Sequence, residues 1–397
     1  MKRLENIFRI IFIAITGFYL SLTTQAQTDV KIEMDSVEIG LITCSPHDEV
    51  YSLYGHTAIR YHDLRSGADW VFNYGIFNFK APHFVTRFVF GLTDYELGIA
   101  PTMPFLEYYA QWGSGVTEQV LNLTSEDKEQ ITLALQVNYM PENRVYRYNF
   151  FYDNCSTRPR DIIEQNINGK IVYTPRADYT PTYREMVHAH TKGHPWTTFG
   201  NDLLLGIKSD FKTDMRQQEF LPDNLRFDFD HAFIEREGRQ EPLVKERRQL
   251  VPPGVQMTEQ EFPLSPTLCG IILLIISLFV LTYEYVKKTT TRYFDILLML
   301  LTGLAGVVLF VMIFSEHPTT SINLQILILN PLALFFIWPV WKRRKTRWFA
   351  ISMVLTILFL IGSFWQDYAE GMEFLALCLL LRCLRHLVKG KKKKVKK

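Results

Sequence analysis

Cys155 is the side chain of this sequence best suited to covalent chemistry. It lies within residues 151–161, FYDNCSTRPRD, directly ahead of a segment in which isoleucines recur at helical spacing. Asn154 and Ser156 beside it are residue types that cap helices. Unpaired backbone N–H groups at a helix start favour an anion, so they lower the pKa of a thiol there and can hold a developing oxyanion. The sequence therefore predicts a nucleophilic thiolate at Cys155, and the alternative is an inert buried thiol or one half of a disulfide.

Pro159 indicates where this helix begins. Proline has no backbone N–H, and this loss costs nothing only within the first helical turn. The regular helix should therefore begin at Ser156 or Thr157, with Cys155 immediately before it.

His56 and Asn73 are the residues that could activate the thiolate, which needs a base within hydrogen-bond reach and a group that orients the base. Alternating residues predict one strand that starts at His56 and a second strand over residues 70–75, joined as a hairpin. If Tyr61 faces Trp70, Asn73 lies one step along on the His56 face, within diagonal reach. We therefore expect His56 to be the base and Asn73 to orient its ring.

The positions of the other cysteines help to decide whether Cys155 is a nucleophile or half of a disulfide. Three of the five fall in apolar segments of the last third of the chain, namely Cys269, Cys378 and Cys383. Cys44 and Cys155 belong to the preceding part, and if that part is exported they could pair as a disulfide. The sequence has no CxxC and no cluster of His and Cys with zinc spacing, so it gives no support for a metal site.

The chain of 397 residues, 48% of them hydrophobic, divides into a globular part and an apolar last third. Residues 1–26 predict an export signal cleaved after Ala26, and an uncleaved anchor helix is the alternative. We expect residues 27–262 to form an exported thiol domain, residues 263–390 a membrane domain and residues 391–397 a basic cytoplasmic tail. Mixed strand and helix patterns indicate an α+β fold for the exported domain.

Hydrophobic periodicity predicts further elements of the exported domain. A first strand spans residues 37–43, and a helix with a capping signal runs from about residue 123 to residue 139. A strand over residues 144–151 should lead straight into the cysteine. Short helices are expected around residues 183–190 and 201–207.

Residues 77–95 are rich in aromatic side chains that are spaced too irregularly for one regular element. Exposed aromatic patches are uncommon unless they are functional. This stretch therefore either covers the core or borders an apolar substrate groove.

Five apolar segments predict a bundle of five transmembrane helices, over residues 264–286, 293–314, 322–341, 348–365 and 372–388. Basic residues lie at every second boundary of these segments, all on one side. Because basic loops are retained in the cytoplasm, this pattern places the thiol domain outside the cytoplasm. The net charge of +2 and a basic tail directly after an apolar helix do not indicate nucleic-acid binding.

Three polar residues of the membrane domain are candidates for a role there. His317 lies in an outward loop, and Asn323 and Asn330 are seven residues apart, on one face of a helix that Pro331 interrupts. Polar groups at membrane depth usually face the protein interior. The two asparagines therefore either join helices through hydrogen bonds or guide a substrate.

The order of histidine before cysteine resembles the permuted branch of the NlpC/P60 papain-like superfamily. Enzymes of that branch similar to lecithin retinol acyltransferase carry a histidine on an early strand and an Asn-Cys pair at a later helix start. Gly55-His56 and Asn154-Cys155 match those positions.

A closer resemblance covers nearly the whole chain. Residues 54–60 (YGHTAIR), 72–75 (FNYG) and 152–158 (YDNCSTR), followed by five apolar segments, resemble the Lnb-type bacterial lipoprotein N-acyltransferases. His317-Pro318 and Asn330-Pro331 resemble the membrane-domain pattern of the same family. The resemblance implies a permuted NlpC/P60 papain-like exported domain joined to an all-α bundle of five transmembrane helices.

The resemblance also implies an activity. A fatty acyl chain would pass from a membrane phospholipid to the α-amino group of a lipoprotein's N-terminal diacylglyceryl-cysteine, without a cofactor or metal. The exported domain would lie in the periplasm, on the inner membrane of a bacterium.

The roles that this activity implies fall on the residues already described. His56 would deprotonate Cys155, which attacks the phospholipid ester, and the lipoprotein amine would open the resulting thioester. Asn73 would fix the tautomer of the imidazole. Backbone N–H groups at the Ser156 end would hold the oxyanion, and Tyr54 either donates to it or is an aromatic core residue. The supporting residues are therefore Asn154, Ser156 and Tyr54.

Other functions remain open from the sequence. A cell-wall peptidase or amidase would need only a signal or one anchor, whereas five spans favour a reactant embedded in lipid. A phospholipase or thioesterase would use the same thiol and end in water. A non-enzymatic, membrane-tethered binding module would join Cys44 and Cys155 in a disulfide.

Overall fold

A seven-stranded antiparallel sheet forms the centre of the N-terminal part of the chain. The computed structural model describes residues 34–77, 80, 82–256 and 262–394, and the predicted export signal lies outside them. We call residues 34–256 the sheet domain and residues 262–394 the helical domain. The strands are β1 (Val37–Cys44), β2 (His56–Asp63), β3 (Asp69–Ile76), β4 (Asp94–Pro101), β5 (Val116–Leu121), β6 (Val145–Arg147), β7 (Lys170–Val172), β8 (Phe233–Arg236), β9 (Arg239–Pro242) and β10 (Val244–Val251).

The larger sheet has the strand order β10-β5-β1-β2-β3-β4-β6, and a smaller sheet has the order β7-β8-β9. The helices of the sheet domain are α1 (Phe84–Val89), α2 (Thr102–Gln111), α3 (Ser125–Tyr139), α4 (Thr157–Gln165), α5 (Tyr183–His190), α6 (Pro195–Leu204), α7 (Met215–Gln218) and α8 (Pro222–Asp230). The α+β class predicted for this part of the chain is therefore present.

The hairpin of β2 and β3 has the predicted register. Tyr61 pairs with Trp70 and Ile59 pairs with Phe72, as antiparallel neighbours. This register brings Asn73 toward the start of β2, where His56 lies.

The chain turns before it reaches Cys155, so the predicted long strand is wrong. Strand β6 ends at Arg147, and the Oδ1 atom of Asn149 then accepts hydrogen bonds from the backbone N–H groups of Phe151 and Tyr152. Asparagine favours such turns because its side-chain oxygen can accept the backbone hydrogen bonds that a neighbouring strand would otherwise accept. The helix beyond it does begin at Thr157, as Pro159 predicted.

Helices cover both faces of the larger sheet. On one face α3, α4 and α8 pack on the strands, through buried side chains such as Ile39, Leu41, Ile131, Ile163 and Phe229. On the other face α2 packs on Ile42 and Ala58 through Phe105 and Tyr109. Full burial of one large apolar side chain contributes about 1.5–3 kcal/mol, so these two layers hold β2 and α4 in fixed positions.

One of the predicted short helices lies earlier in the chain than expected. Helix α5 spans Tyr183–His190 as predicted, whereas α6 runs over Pro195–Leu204 instead of residues 201–207. Pro195 accounts for the difference, because proline is favoured in the first turn of a helix.

Five helices follow in the helical domain: α9 (Pro266–Val286), α10 (Arg292–Met312), α11 (Leu332–Trp341), α12 (Trp348–Gly362) and α13 (Met372–Lys394). Within the described residues, three segments are long and apolar enough to cross a membrane, namely Pro266–Val286, Arg292–Met312 and Leu324–Trp341. Trp348–Gly362 is a shorter apolar helix. Five complete spans and the proposed domain limits stay predictions.

The third apolar segment is interrupted, which corrects the expectation for its asparagines. It consists of a 3-10 turn over Leu324–Leu327 and then α11, so no continuous helix puts Asn323 and Asn330 on one face. The Oδ1 atom of Asn323 accepts from Gln325 N, and that of Asn330 accepts from Leu332 N. Asn323 is therefore the N-cap of the 3-10 turn, and Asn330 bonds the first backbone N–H of α11 from the position before its Pro331 N-cap.

A buried cluster of charges joins three helices of the helical domain. Arg382 of α13 bonds Glu284 of α9 at 2.8 Å and Asp295 of α10 at 2.7 Å. His386 bonds Asp295 from one turn further along α13 at 2.8 Å. Because unpaired charges are costly among apolar helices, this network fixes how the three helices pack.

The buried pair of Arg60 and Glu118 allows a test of the fold. Arg60 bonds Glu118 at 2.9 Å and Asp69 at 2.7 Å, and the Glu118 side chain is 1% exposed. Arg60→Leu removes the hydrogen-bonded partner of the buried Glu118 carboxylate and leaves only Arg248 at 3.9 Å, so we expect a loss of about 3 kcal/mol in the free energy of unfolding. Thermal and urea unfolding of the full chain in detergent measures this loss.

The matched control is Arg239→Leu on the exposed strand β9, which should change stability by less than about 0.5 kcal/mol. The double variant with Glu118→Leu should recover much of the loss, because no buried charge remains. Equal stability of Arg60→Leu and the wild type would contradict the prediction.

Candidate active site

Cys155, His56 and Asn73 lie together at one end of the larger sheet. His56 is the first residue of β2, and Cys155 immediately precedes the Ser156 cap of α4. The Nε2–H of His56 donates to Oδ1 of Asn73 at 2.6 Å. Because this bond occupies Nε2, Nδ1 is the ring atom left for the hydrogen bond that joins His56 to the Cys155 thiol. The three predicted residues therefore have the geometry of a nucleophile, a base and an orienting amide.

Asn154 fixes the chain on both sides of the cysteine. Its Oδ1 atom accepts from the N–H groups of Ser156 at 2.8 Å and Thr157 at 3.0 Å. Its Nδ2 atom donates to the carbonyl oxygens of Phe150 at 2.9 Å and Phe220 at 2.8 Å. The side chain is 3% exposed and fully bonded, so Asn154 acts through the position of Cys155. The Ser156 N–H is already engaged, and an oxyanion bound there would compete with this amide.

Ser156 and Thr57 support the sulfur directly. The Thr57 backbone N–H and the Ser156 hydroxyl both help to lower the pKa of the Cys155 thiol. The two hydroxyl oxygens, Thr57 Oγ1 and Ser156 Oγ, are 3.1 Å apart in a fully buried contact. This contact ties the start of β2 to the start of α4, which keeps His56 and Cys155 at a fixed separation.

The site favours a thiolate and an imidazolium. Burial acts to raise the pKa of Cys155, but the charge and hydrogen bond of His56, followed by the bonds from Thr57 and Ser156, outweigh burial and lower this pKa. Burial acts to lower the pKa of His56, and the charge of the thiolate with the bonds to Cys155 and Asn73 raises it. A thiolate is the reactive form of cysteine, so these shifts favour nucleophilic attack.

Cys44 and Tyr109 form the buried back of the site. Cys44 pairs with His56 across β1 and β2 and is 1% exposed. Burial raises its pKa well above the usual value, against the effect of a hydrogen bond with Tyr109. The Tyr109 ring is nearly parallel to the His56 ring, with centroids 6.4 Å apart. Cys44 and Cys155 are both free thiols, and Cys44 is held in its protonated form.

Tyr54 connects the histidine strand to α6. Its hydroxyl accepts a bond from Asn201 Nδ2 at 2.9 Å, and its ring lies against Phe150 and His190. The hydroxyl keeps its own proton for donation. A role for Tyr54 at the oxyanion stays a prediction.

Helix α6 is also the main contact with the helical domain. Gln325 Nε2 donates to the carbonyl oxygen of Asp202 at 2.8 Å, and Asn323 Nδ2 donates to that of Leu203 at 2.8 Å. Gln366 Nε2 donates to Oδ1 of Asn323 at 3.0 Å. These three amide side chains, which we call the docking amides, are at most 6% exposed. Asn323 therefore joins the two domains and does not reach the thiol.

His317 and Asn330 have comparable structural contacts. His317 Nε2 donates to the carbonyl oxygen of Phe88 in α1 at 2.9 Å, which fastens the loop between α10 and α11 to the sheet domain. Asn330 Nδ2 donates to the carbonyl oxygen of Ile326 at 3.2 Å. The structure brings neither residue to Cys155, and a part in substrate binding stays a prediction for both.

The sequence pointed to the three central residues and to Asn154, Ser156 and Tyr54 beside them, but not to Thr57, Tyr109 and Asn201. Thr57 follows His56 directly, so its N–H could have been considered once the strand was placed. Asn201 and Tyr109 come from helices far along the chain, and only packing brings them to the site. A pattern in one sequence carries no signal of such contacts.

Two family models match the chain. The model described as the Lnb N-terminal periplasmic domain matches residues 24–189, and the model described as the Lnb transmembrane domain matches residues 257–394. No curated protein and no solved structure matches. The first match contains His56, Asn73 and Cys155, and the second contains all the docking amides.

The pH dependence of Cys155 alkylation tests the ion pair. Because the pKa of Cys155 is lowered, reaction with iodoacetamide should reach half its maximum below the pH typical of a free thiol. His56→Gln removes the cation and leaves burial, so this midpoint should move to higher pH and the rate at pH 7 should fall at least about tenfold. Mass spectrometry of the peptide that contains Cys155 measures both. His231→Gln, at an exposed histidine, is the control, and an unchanged midpoint in His56→Gln would refute the pair.

The docking amides should hold α6 in place. Gln325→Leu removes the donor to the Asp202 carbonyl, so the N–H groups of residues 196–204 should exchange with deuterium at least about fivefold faster. Hydrogen exchange of the full chain in detergent measures this change. Gln240→Leu, on exposed β9, should leave exchange in α6 as it is. Identical exchange in both variants would show that α6 does not depend on this contact.

Proposed function

This chain belongs to the Lnb family and is a membrane protein with a periplasmic region, and from this premise we propose that it is a lipoprotein N-acyltransferase. It would move a fatty acyl chain from a membrane phospholipid, through a thioester on Cys155, to the N-terminal diacylglyceryl-cysteine amine of a lipoprotein. Its setting would be the bacterial inner membrane, with the site on the periplasmic side.

The observation that carries this proposal is a thiol of lowered pKa in a domain fastened to apolar helices. Cys155 has a base, His56, and an orienting amide, Asn73. The same domain is bonded through α6 to the helical domain. An acyl chain in a membrane and a thiolate held beside that membrane are the two requirements for acyl transfer from a lipid.

The first step forms the acyl-enzyme. The Cys155 thiolate attacks the carbonyl carbon of a phospholipid ester, a C–S bond forms, and the carbonyl oxygen becomes an oxyanion near the N-terminus of α4, where the helix dipole favours negative charge. The C–O bond of the ester then breaks. The imidazolium of His56 gives its Nδ1 proton to the leaving alkoxide, and a lysophospholipid departs.

The second step transfers the chain. The neutral α-amine of the lipoprotein attacks the thioester carbonyl, a C–N bond forms and the C–S bond breaks. His56 takes the proton from the attacking nitrogen at Nδ1, which restores the thiolate and imidazolium. Asn73 holds Nε2–H throughout, so the ring presents the same nitrogen in both steps.

The alternatives differ in the acceptor or in the state of the thiol. A phospholipase would share the first step and pass the chain to water, while a disulfide-stabilised binding module would need a bond between two cysteines that are free thiols here. Transfer to an amine is preferred because the chain resembles the lipoprotein N-acyltransferases over both of its family-model matches.

Mass spectrometry of lipoprotein N-terminal peptides tests the proposal. Cells whose only copy carries Cys155→Ala should lose the third acyl chain, because the thioester cannot form, and wild-type cells should keep it. The purified wild-type chain, mixed with phospholipid alone, should gain the mass of one acyl group on the Cys155 peptide.

Cys269→Ala, a half-buried cysteine of α9, is the matched control and should retain N-acylation. Retention of the third chain in Cys155→Ala cells would overturn the proposal. Acylation of Cys155 with release of free fatty acid, and no transfer to a lipoprotein peptide, would favour the phospholipase.

A further inference from the structure

A series of aromatic rings runs from the neighbourhood of Cys155 to the helical domain. The rings of Tyr148 and Tyr95 stack with their centroids 4.1 Å apart. The centroids of the Tyr95 and Phe77 rings are 4.9 Å apart. The ring centroids of Phe77 and Phe84 are 6.2 Å apart, and those of Phe84 and Phe88 are 6.4 Å apart. We call these five residues the aromatic strip.

The first end of the aromatic strip lies beside the thiol. Tyr95, Tyr148 and Cys155 are all half-buried and pack against the same hydrophobic core. Negative charge on Cys155 adds to the effect of burial on both tyrosines, raising the pKa of Tyr95 to about 12 and that of Tyr148 well above its usual value. A Cβ on Gly75, two residues before Phe77, would lie 3.7 Å from the Cys155 Cβ, so the end of β3 that leads into Phe77 passes directly beside the cysteine.

The other end of the aromatic strip meets the helical domain. The Phe88 ring lies 5.9 Å from the His317 ring, and His317 Nε2 donates to the Phe88 carbonyl oxygen. Glu316 N donates to the carbonyl oxygen of Phe90 at 2.9 Å. His317 and Glu316 follow α10, a helix long and apolar enough to cross a membrane. This end of the aromatic strip therefore contacts the loop that follows a helix able to cross a membrane.

The aromatic strip is partly exposed, and so are apolar side chains that adjoin it. Phe88 is 45% exposed, and the neighbouring Ile76 and Tyr51 are 39% and 54% exposed. The Tyr51 ring contacts Phe77 at 6.3 Å, so it extends the wall beside the middle of the aromatic strip. Partly exposed apolar side chains that cluster on a folded protein often mark the site of a ligand or a partner.

We propose that the aromatic strip binds the acyl chain of the donor lipid and guides it from the membrane surface to Cys155. This inference rests on the proposed acyl transfer and specifies where that substrate lies. An acyl chain fits because it is long, flexible and wholly apolar, and because the aromatic strip joins the helical domain to the reacting sulfur. A peptide would need hydrogen-bond partners for its backbone, which rings do not supply.

Chain-length selectivity measures this binding. The full-length protein in mixed micelles is given phospholipids with two octanoyl or two palmitoyl chains below saturation, and acylation of Cys155 is followed by intact mass. Wild type should prefer the palmitoyl donor by about tenfold or more, since extra methylenes bind apolar surface. Phe77→Ser, in the middle of the aromatic strip, should reduce this ratio at least about fivefold, and Phe77→Leu should restore most of it.

Phe227→Ser is the control, since this ring is 44% exposed on α8 and has contacts away from the aromatic strip. Its ratio should equal that of the wild type. An unchanged ratio in Phe77→Ser, or an equal fall in Phe227→Ser, would overturn the inference.

Photo-crosslinking gives a readout that needs no turnover. The full-length Cys155→Ala variant in nanodiscs receives a phospholipid with a diazirine near the end of one acyl chain. Labelling within residues 77–95 supports the inference, and labelling confined to α9–α13 overturns it. If wild-type Cys155 gains no acyl group from either donor, the proposed function fails, and the crosslink still decides whether a lipid chain occupies the aromatic strip.

Discussion

The requirement to keep a thiolate beside an imidazole, largely out of water, determines how this sheet domain is built. The two groups come from β2 and α4, 99 residues apart at the contact of Thr57 with Ser156. An ion pair in a half-buried site is stable only when hydrogen bonds compensate for lost water. Thr57, Ser156 and Asn73 supply those bonds, and Asn154 fixes the backbone that carries the sulfur. The core layers on both faces of the sheet then prevent β2 and α4 from separating.

The second constraint is the attachment of this site to apolar helices. Helix α6 bonds Tyr54, next to the strand that begins with His56, and bonds the docking amides of the helical domain. The same short helix therefore contacts both the loop before His56 and the segment before α11. Buried amides with satisfied hydrogen bonds give such a contact a single geometry, because any shift would leave polar groups unpaired.

Local sequence signals predicted the parts of the fold that depend on local chemistry. Pro159 correctly indicated where α4 begins. The predicted pairing of Tyr61 with Trp70 correctly indicated that Asn73 lies near His56. The strand predicted up to Phe151 failed because the side chain of Asn149 takes over backbone N–H groups, which alternation cannot reveal. Asn201 could not be found either, since its position at Tyr54 depends on tertiary packing. The resemblance to a family supplied the function that spacing alone left open.

The fixed docking of α6 has a consequence for the kind of catalyst this would be. A thiol that cannot move away from the bilayer has a constant height above it, so both reactants must present their reacting atoms in that one layer. A phospholipid ester and the N-terminus of a diacylglyceryl-modified protein each lie at the lipid–water boundary because their acyl chains hold them there. Encounters would then depend on the number of molecules per area of membrane, and collisions would occur by lateral diffusion in two dimensions.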